Sequence, residues 1–488
     1  MNRGTFFDLR NRDGIAVGLC LLVAGALFAV FRNHGFDDPY ITYRYAANVA
    51  SGQGFVYNPG LKVLSTTAPL YALLLVPAAV IGLDLPLVSN LICCLSIGVG
   101  GLAIWRLGLS WDDPLAGFVG AIFYMLSPFQ MPTMGAETSF VLALVLWAFV
   151  AASGAHWRTV AMLLGLATVA RADTVLAGLV IALILVAGRV RLGRSTWCSL
   201  PWSAAAIYAL LLAPWLIFAQ AYYGSPIPVT LAAKRHQMQI VGSRSFGQGL
   251  IDRAISLWNL PTYRLLLILA LVGVVYSLLR RRSALGVLGW VALYGLAYTL
   301  LGVTSYFWYY SPIFLGLIIA AALGVSAVSA VAQRLIRLRT AGGVGLALAA
   351  IILVAELLDL ASLSLRPDSR LVIYHEIGDW LAQNTLVEST VGTLEVGIIG
   401  YYSRRPIIDF AGLIQPEVAT LFDAQHGYLE AANWATRHYR PDYLVLNKAP
   451  PLLRFAPDLG ARCVALADFS AARPTEPMTI YQCSWDVP

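Results

Sequence analysis

Long apolar runs separated by short polar loops fill the first three quarters of the chain. Runs of about 20 apolar residues cross a bilayer as helices. Eleven can be read: Gly14–Phe31, Pro86–Leu107, Leu115–Met131, Thr138–Ala152, Thr159–Ala170, Thr174–Ala187, Pro201–Tyr222, Tyr263–Leu279, Leu285–Val303, Pro312–Ala332 and Gly343–Leu363. One further run, Ala68–Gly82, is ambiguous. Lys and Arg collect in cytoplasmic loops, and this decides it. If Ala68–Gly82 does not cross, one side gathers Arg106, Arg158, Arg189, Arg191, Arg194, Arg280, Arg281, Arg282, Arg334, Arg337 and Arg339 with the N-terminal Arg3, Arg10 and Arg12. If it crosses, those clusters leave the N-terminal arginines. The expected topology therefore has a cytoplasmic N-terminus, a retained first span, and Ala68–Gly82 at the outer interface.

The pattern changes at Arg366-Pro367-Asp368, where short strand and helix periods replace the apolar runs. Tyr374–Asn384 and Tyr428–Tyr439 read as helices, and Val396–Tyr402 as a helical turn. Ser389–Leu394, Arg405–Phe410, Asp442–Asn447, Arg462–Ala467 and Met478–Cys483 read as strands. The predicted fold class is a polytopic α-helical membrane protein. Residues 1–365 form the membrane domain and residues 366–488 a small extracytoplasmic α/β domain.

Composition supports this reading. The chain is 59% hydrophobic and 12% charged, against about a quarter charged in soluble domains. The net charge of +7 is uneven: residues 1–365 carry 23 Lys/Arg against 12 Asp/Glu, residues 366–488 carry 10 against 14. The basic excess thus belongs to the membrane part, where it sets orientation and meets anionic lipid. No basic patch with interleaved aromatics points to nucleic acid. No CxxC, His–Cys cluster, GxGxxG or P-loop spacing points to a metal or nucleotide. Cys20, Cys93 and Cys94 lie in spans and Cys198 on the inner side. Cys463 and Cys483 are the pair expected outside, on candidate neighbouring strands, and a disulfide is expected between them.

This topology places Asp37, Asp38, Arg44, Lys62, Glu137, Arg171, Asp173, the segment Tyr223–Thr262 and Ser305–Ser311 on one outer face. Asp38 can cap a helix starting at Pro39; Asp37 is not needed for that. Two adjacent carboxylates repel and raise one pKa, which suits a general base. Lys234, Arg235 and His236 form a cation cluster that either snorkels to lipid head groups or binds a phosphate. Arg44 fits the same job, or reaches an acidic neighbour. Arg171 and Asp173 read as a surface pair or turn cap as well as a site, and Glu137 as a helix-dipole residue or a hydroxyl acceptor. Trp308, Tyr309 and Tyr310 are either an interfacial girdle or a stacking platform. No charge pattern at mid-membrane suggests transport.

Asp-Asp at the end of the first span is followed by Tyr43-Arg44-Tyr45-Ala46-Ala47-Asn48, Gly52-Gln53-Gly54-Phe55-Val56-Tyr57-Asn58-Pro59-Gly60 and Ser65-Thr66-Thr67-Ala68-Pro69-Leu70. Later come Gly135-Ala136-Glu137-Thr138, Arg171-Ala172-Asp173, Pro228-Val229-Thr230 with Lys234, and Phe307-Trp308-Tyr309-Tyr310-Ser311-Pro312. This ordered set resembles the GT-C superfamily of integral-membrane glycosyltransferases, nearest its arabinofuranosyltransferase-like and mannosyltransferase-like members. Val229 stands where those relatives often have Asn. Leu394-Glu395-Val396-Gly397 and Asp409-Phe410-Ala411-Gly412-Leu413 resemble relatives with an outer C-terminal domain.

The resemblance implies transfer of a sugar from a polyprenyl-phosphate donor to a glycan, lipid or protein acceptor, with inversion. It implies Asp37 as base, with Asp38 the second choice. Arg44, Tyr45, Glu137, Arg171, Asp173, Lys234, Arg235, His236, Trp308, Tyr309 and Tyr310 are the expected substrate-binding residues. No metal ligand is assigned. The other readings are a lipid-linked-sugar transporter and a non-catalytic polysaccharide-assembly partner.

Overall fold

The computed structural model describes residues 3–191, 200–336, 343–448, 450–470 and 477–485. Arg194, Cys198, Arg337, Arg339 and residues 471–476 of the expected Ala471–Pro477 turn fall outside these, and the side chains of Arg3, Arg10, Arg12 and Arg191 are not described. Among the described residues eight helices are long and apolar enough to cross a membrane. They include Gly14–Phe31, Leu85–Ser110, Trp202–Tyr223, Pro261–Leu279 and Gly343–Ser364. Three other expected spans form shorter apolar helices, Pro114–Leu126, Thr138–Ser153 and Trp157–Ala170.

The ambiguous run forms the 12-residue helix Pro69–Val80. At 1.5 Å per residue it is about 18 Å long against a hydrocarbon core of about 30 Å, and the three shorter helices just named fall short of that core as well. It packs against Asp38–Ala50, a helix with Pro39 in its first turn. All eight residues from Pro39 to Ala46 are buried. A helix buried on every side needs cover from above as well as below, and the C-terminal domain supplies it. Tyr40, Tyr43, Tyr45, Tyr57 and Tyr71 share one apolar core with Ile373, Ile377, Ile398, Ile399, Ile407 and Leu444. The boundary at 366 is thus a change of sequence pattern, with a continuous core beneath it.

The C-terminal sheet has five strands, β1 (Val391–Thr393), β2 (Ile407–Asp409), β3 (Tyr443–Asn447), β4 (Cys463–Phe469) and β5 (Met478–Cys483), in the order β2-β1-β3-β5-β4. The first three are parallel, and β5 runs antiparallel to both β3 and β4. Each predicted strand is present, within a few residues of its expected ends. Cys463 and Cys483 are register partners on β4 and β5 and form the expected disulfide. Burial explains the clean reading: Val391, Ile407, Leu444 and Ile480 are all fully buried.

Candidate active site

The cavity lies where the loop after the first apolar helix, the ends of several spans and one loop of the C-terminal domain meet. Its volume is about 440 Å³. Asp38, Glu137, Arg171, Asp173 and Lys234 bring all its charges. Trp308 and Tyr309 form an aromatic wall, and Leu413 reaches in from the C-terminal domain. Val175, Leu231 and Leu301 also line it while remaining 48%, 36% and 38% exposed. The cavity therefore reaches the surface beside apolar residues of helices Val175–Arg191, Val229–His236 and Leu285–Leu301.

Lys234 sits in the last turn of the short helix Val229–His236, whose buried residues are Thr230, Ala233 and Lys234 itself. Its Nζ donates to Asp38 Oδ2 at 3.2 Å and lies over Trp308 and Tyr306, 4.8 and 5.0 Å from the ring centres. Burial opposes its charge, yet Tyr309, Asp38 and Tyr306 hold the ammonium above the ordinary lysine value. Opposite, Arg171 Nη1 donates to Glu137 Oε1 at 2.8 Å and Nη2 to Asp173 Oδ2 at 2.6 Å. One fork thus joins two carboxylates from different elements, the geometry Arg favours. Tyr298 Oη donates to the same Asp173 oxygen at 2.6 Å. The arrangement sets a cation against one carboxylate and holds two further carboxylates on a single arginine, all on the lining of one cavity.

Asp37, the expected base, does not line the cavity. Its Oδ1 and Oδ2 accept from the backbone N–H groups of Ile398 (2.7 Å) and Gly397 (2.8 Å). The carboxylate therefore caps the helix Gly397–Ser403 of the C-terminal domain. Burial and the neighbouring Glu395 push its pKa up to about 8, while the two N–H bonds pull it back. Neither Asp37 nor Asp38 caps its own helix with its side chain.

Arg44 and Tyr45 are corrections too. Arg44 is 4% exposed and donates to the carbonyls of Tyr57 (2.8 Å), Gly400 (2.5 Å) and Arg405 (2.7 Å). All three of its nitrogens are engaged in tying the loop after the first apolar helix to the C-terminal domain, and it does not line the cavity. Tyr45 Oη donates to Val63 O and accepts from Ser65 N, so it braces the Ser65-Thr66-Thr67 turn. Tyr310 is fully buried, stacked on Phe246 at 4.7 Å. Arg235 is exposed and His236 turns its Nδ1 back to Ala232 O; neither lines the cavity.

Residues to which the sequence reading assigned no site role also line it: Ser65, Thr66 and Thr67 and Leu413, which lie in the quoted motifs, and Tyr298. Tyr294 and Tyr298, four apart on one helix face and stacked at 4.4 Å, carried a readable signal. Leu413 carried none, since its place depends on Asp409. That buried carboxylate accepts from the N–H groups of Ala411 (2.6 Å), Leu413 and Ile414 (2.8 Å) and pins the loop. The expected absence of mid-membrane charge is corrected by Glu356, fully buried within Gly343–Ser364. It does not line the cavity. Among the described residues no group of three His, Cys, Asp or Glu is placed to hold a metal ion.

Residues 364–481 match a family model described as a domain of unknown function (DUF8728). No curated protein matches by sequence. Solved structures do. ArnT from Cupriavidus metallidurans, bound to undecaprenyl phosphate, aligns with a TM-score of 0.60 at 14% identity, covering 96% of this chain and 97% of its own. The archaeal oligosaccharyltransferase AglB from Archaeoglobus fulgidus, in complex with an inhibitory peptide and a dolichol-phosphate, aligns at 0.66 and 13% identity, covering 98% and 75%. A membrane bundle with a small C-terminal sheet, superposable over nearly its whole length on these two, is the fold of the GT-C glycosyltransferases, and this chain has that fold.

Proposed function

We infer that the protein is an inverting glycosyltransferase that moves a hexosyl or pentosyl group from a polyprenyl-phosphate donor to an acceptor hydroxyl on the outer face of the membrane. The observation that carries this is the Asp38–Lys234 pair, set in a cavity with one polar wall and one apolar side opening. The prenyl chain lies through the opening at Val175, Leu231 and Leu301. Its phosphate meets Lys234, and the sugar lies between Trp308 and the Glu137–Arg171–Asp173 wall.

In the reaction the acceptor oxygen attacks the anomeric carbon while Asp38 takes its proton. The bond from that carbon to the phosphate oxygen breaks, and the polyprenyl phosphate leaves carrying the electron pair. Lys234 stabilises the charge that grows on it, an interaction stronger in the transition state than before it. Asp38 takes the base role expected of Asp37, because its carboxylate faces the cavity and that of Asp37 does not. Arg171 keeps Glu137 and Asp173 apart and oriented as hydroxyl acceptors.

Charge placement supports transfer over transport. The cavity charges gather at the end of the bundle that carries the C-terminal domain. Glu356 lies outside the cavity, so it is no coupling site for cargo held there. In the proposed orientation the N-terminus is cytoplasmic. Cysteine labelling near His236 and at Gly82–Leu85 then reports the exterior, and near Arg281 the cytoplasm.

The deciding experiment assays purified protein with a panel of polyprenyl-phosphate sugars, reading released polyprenyl phosphate. Asp38→Asn, which keeps size and removes the base, is expected to abolish release while the fold is kept. A fully active Asp38→Asn enzyme would remove the mechanism.

A further inference from the structure

The first outer loop carries two adjacent aspartates that face opposite ways. Asp38 looks into the cavity toward Lys234. Asp37 looks into the C-terminal domain, where both its oxygens take backbone N–H groups of the helix Gly397–Ser403. One peptide bond separates a reacting group from a docking group. Any shift of the docked helix must therefore move the backbone from which Asp38 projects.

The contact has no slack. A Cβ on Gly397 would fall 2.0 Å from the carbonyl oxygen of Asp37, and one on Gly400 would fall 1.8 Å from Tyr57 Oη. Gly397 is required by the close approach of two backbones, and Gly400 makes room for the Tyr57 and Arg44 side chains. Around them the tie is repeated: Asn58 Nδ2 donates to Ile407 O at 2.8 Å and its Oδ1 accepts from Ile407 N at 3.0 Å. The same domain places Leu413 in the cavity, and its helix Pro416–Ala419 packs on Val229–His236, which carries Lys234.

We propose that the C-terminal domain is an integral part of the catalytic site, and that Asp37 is the positioning residue that couples its docking to the placement of Asp38. This rests on the reading of Asp38 as the reacting carboxylate. Lys234 has holds outside the C-terminal domain as well: its carbonyl accepts from Thr304 Oγ1 at 2.9 Å, and its ammonium lies among three aromatic rings. A loss confined to the Asp37 contact therefore misplaces the base while leaving the phosphate subsite in place.

The test uses the full-length protein in detergent with two variants, one from each side of the contact. Asp37→Asn retains one acceptor and turns an amide against the second N–H; Gly397→Ala forces a Cβ into Asp37. Both are expected to lose amide hydrogen-exchange protection across residues 397–403, by on the order of tenfold or more. Both should lose about 10- to 100-fold in turnover, the scale of a misplacement near 1 Å. Binding of undecaprenyl phosphate should stay unchanged, so the loss appears in kcat and not in the donor KM. Where Asp37→Asn does not accumulate, Gly397→Ala makes the same measurement from the other domain.

Lost protection with full turnover would overturn the coupling. Lost turnover with intact protection in Asp37→Asn would overturn it as well, and would return Asp37 to the chemistry. An active Asp38→Asn enzyme would instead remove the reading beneath the proposal, while the exchange result at 397–403 stood on its own.

Discussion

Lys234 Nζ lies 3.2 Å from Asp38 Oδ2 on the lining of the cavity, each from a different segment of the chain. Each ion offsets part of the other's desolvation. On the proposed function, a donor phosphate at Lys234 would free Asp38 to meet an acceptor hydroxyl. Lys234→Ala is therefore expected to lower turnover by about 10²-fold or more, as loss of one charge-stabilising donor does elsewhere. Lys234→Arg should recover part of it. Unchanged turnover and donor dependence in Lys234→Ala would reduce the residue to an interfacial lysine.

Arg171 holds two carboxylates from separate elements, with all three side chains no more than 15% exposed. Removing the cation leaves Glu137 and Asp173 facing each other across a largely dry wall. Arg171→Ala is expected to cost about 3–5 kcal/mol of stability, the range for breaking a buried pair from one side. Arg171→Lys keeps the charge and loses the fork, so its loss should be smaller. Thermal unfolding in detergent reads both. An unaltered melting temperature in Arg171→Ala would mean that the pair is solvated.

Glu356 presents the opposite case. Both its carboxyl oxygens are buried and lack hydrogen-bond partners among the described residues. An unsatisfied buried polar group costs about 1–3 kcal/mol. Glu356→Leu should therefore stabilise the bundle by a similar amount without affecting sugar transfer. A marked loss of thermal stability in Glu356→Leu would show that the carboxyl has a partner in the membrane.

The Cys463–Cys483 bridge closes a loop of 20 residues between β4 and β5. The chain-entropy account gives about 3 kcal/mol for a loop of that size. Cys463→Ser with Cys483→Ser should lower the stability of the C-terminal domain accordingly, with the membrane bundle unaffected. Mass spectrometry of a non-reduced digest checks the bond itself; both cysteines alkylated without reductant would refute it.

The helical and strand patterns of this chain were legible because burial enforces them. The strands β1, β2, β3 and β5 needed only their alternating or continuous apolar residues. Glu137, Arg171, Asp173 and Lys234, expected on one face, line one cavity. What the sequence does not carry is the direction of a side chain in a loop. Asp37 and Asp38 are chemically identical neighbours, and only the helix at Gly397, some 360 residues away, separates their roles. Arg44 was misread for the same reason: its partners Gly400 and Arg405 lie beyond any local pattern. Leu413 is a leucine among leucines until Asp409 fixes its loop.

The docking contact also carries a pH signature. Asp37 is buried against Glu395, with Asp38, Tyr57 and Tyr374 the other titratable groups near it, and Arg370 facing Glu395. Burial first, then the Glu395 charge, raise its pKa to about 8 from an ordinary value near 3.8. A carboxyl whose docked value is raised holds a proton that the undocked state releases. Its contribution to docking is therefore full below the ordinary carboxylate range, falls as pH rises toward about 8, and is level above that. Exchange protection at 397–403, corrected for intrinsic rates, should decline between pH 5 and pH 8, a window set by this linkage, roughly as one group titrates. In Asp37→Asn the decline should flatten, leaving only the weaker dependence of Glu395. Protection that strengthened with rising pH in the unmodified protein would mean that the two N–H bonds outweigh burial, and that Asp37 docks as the anion.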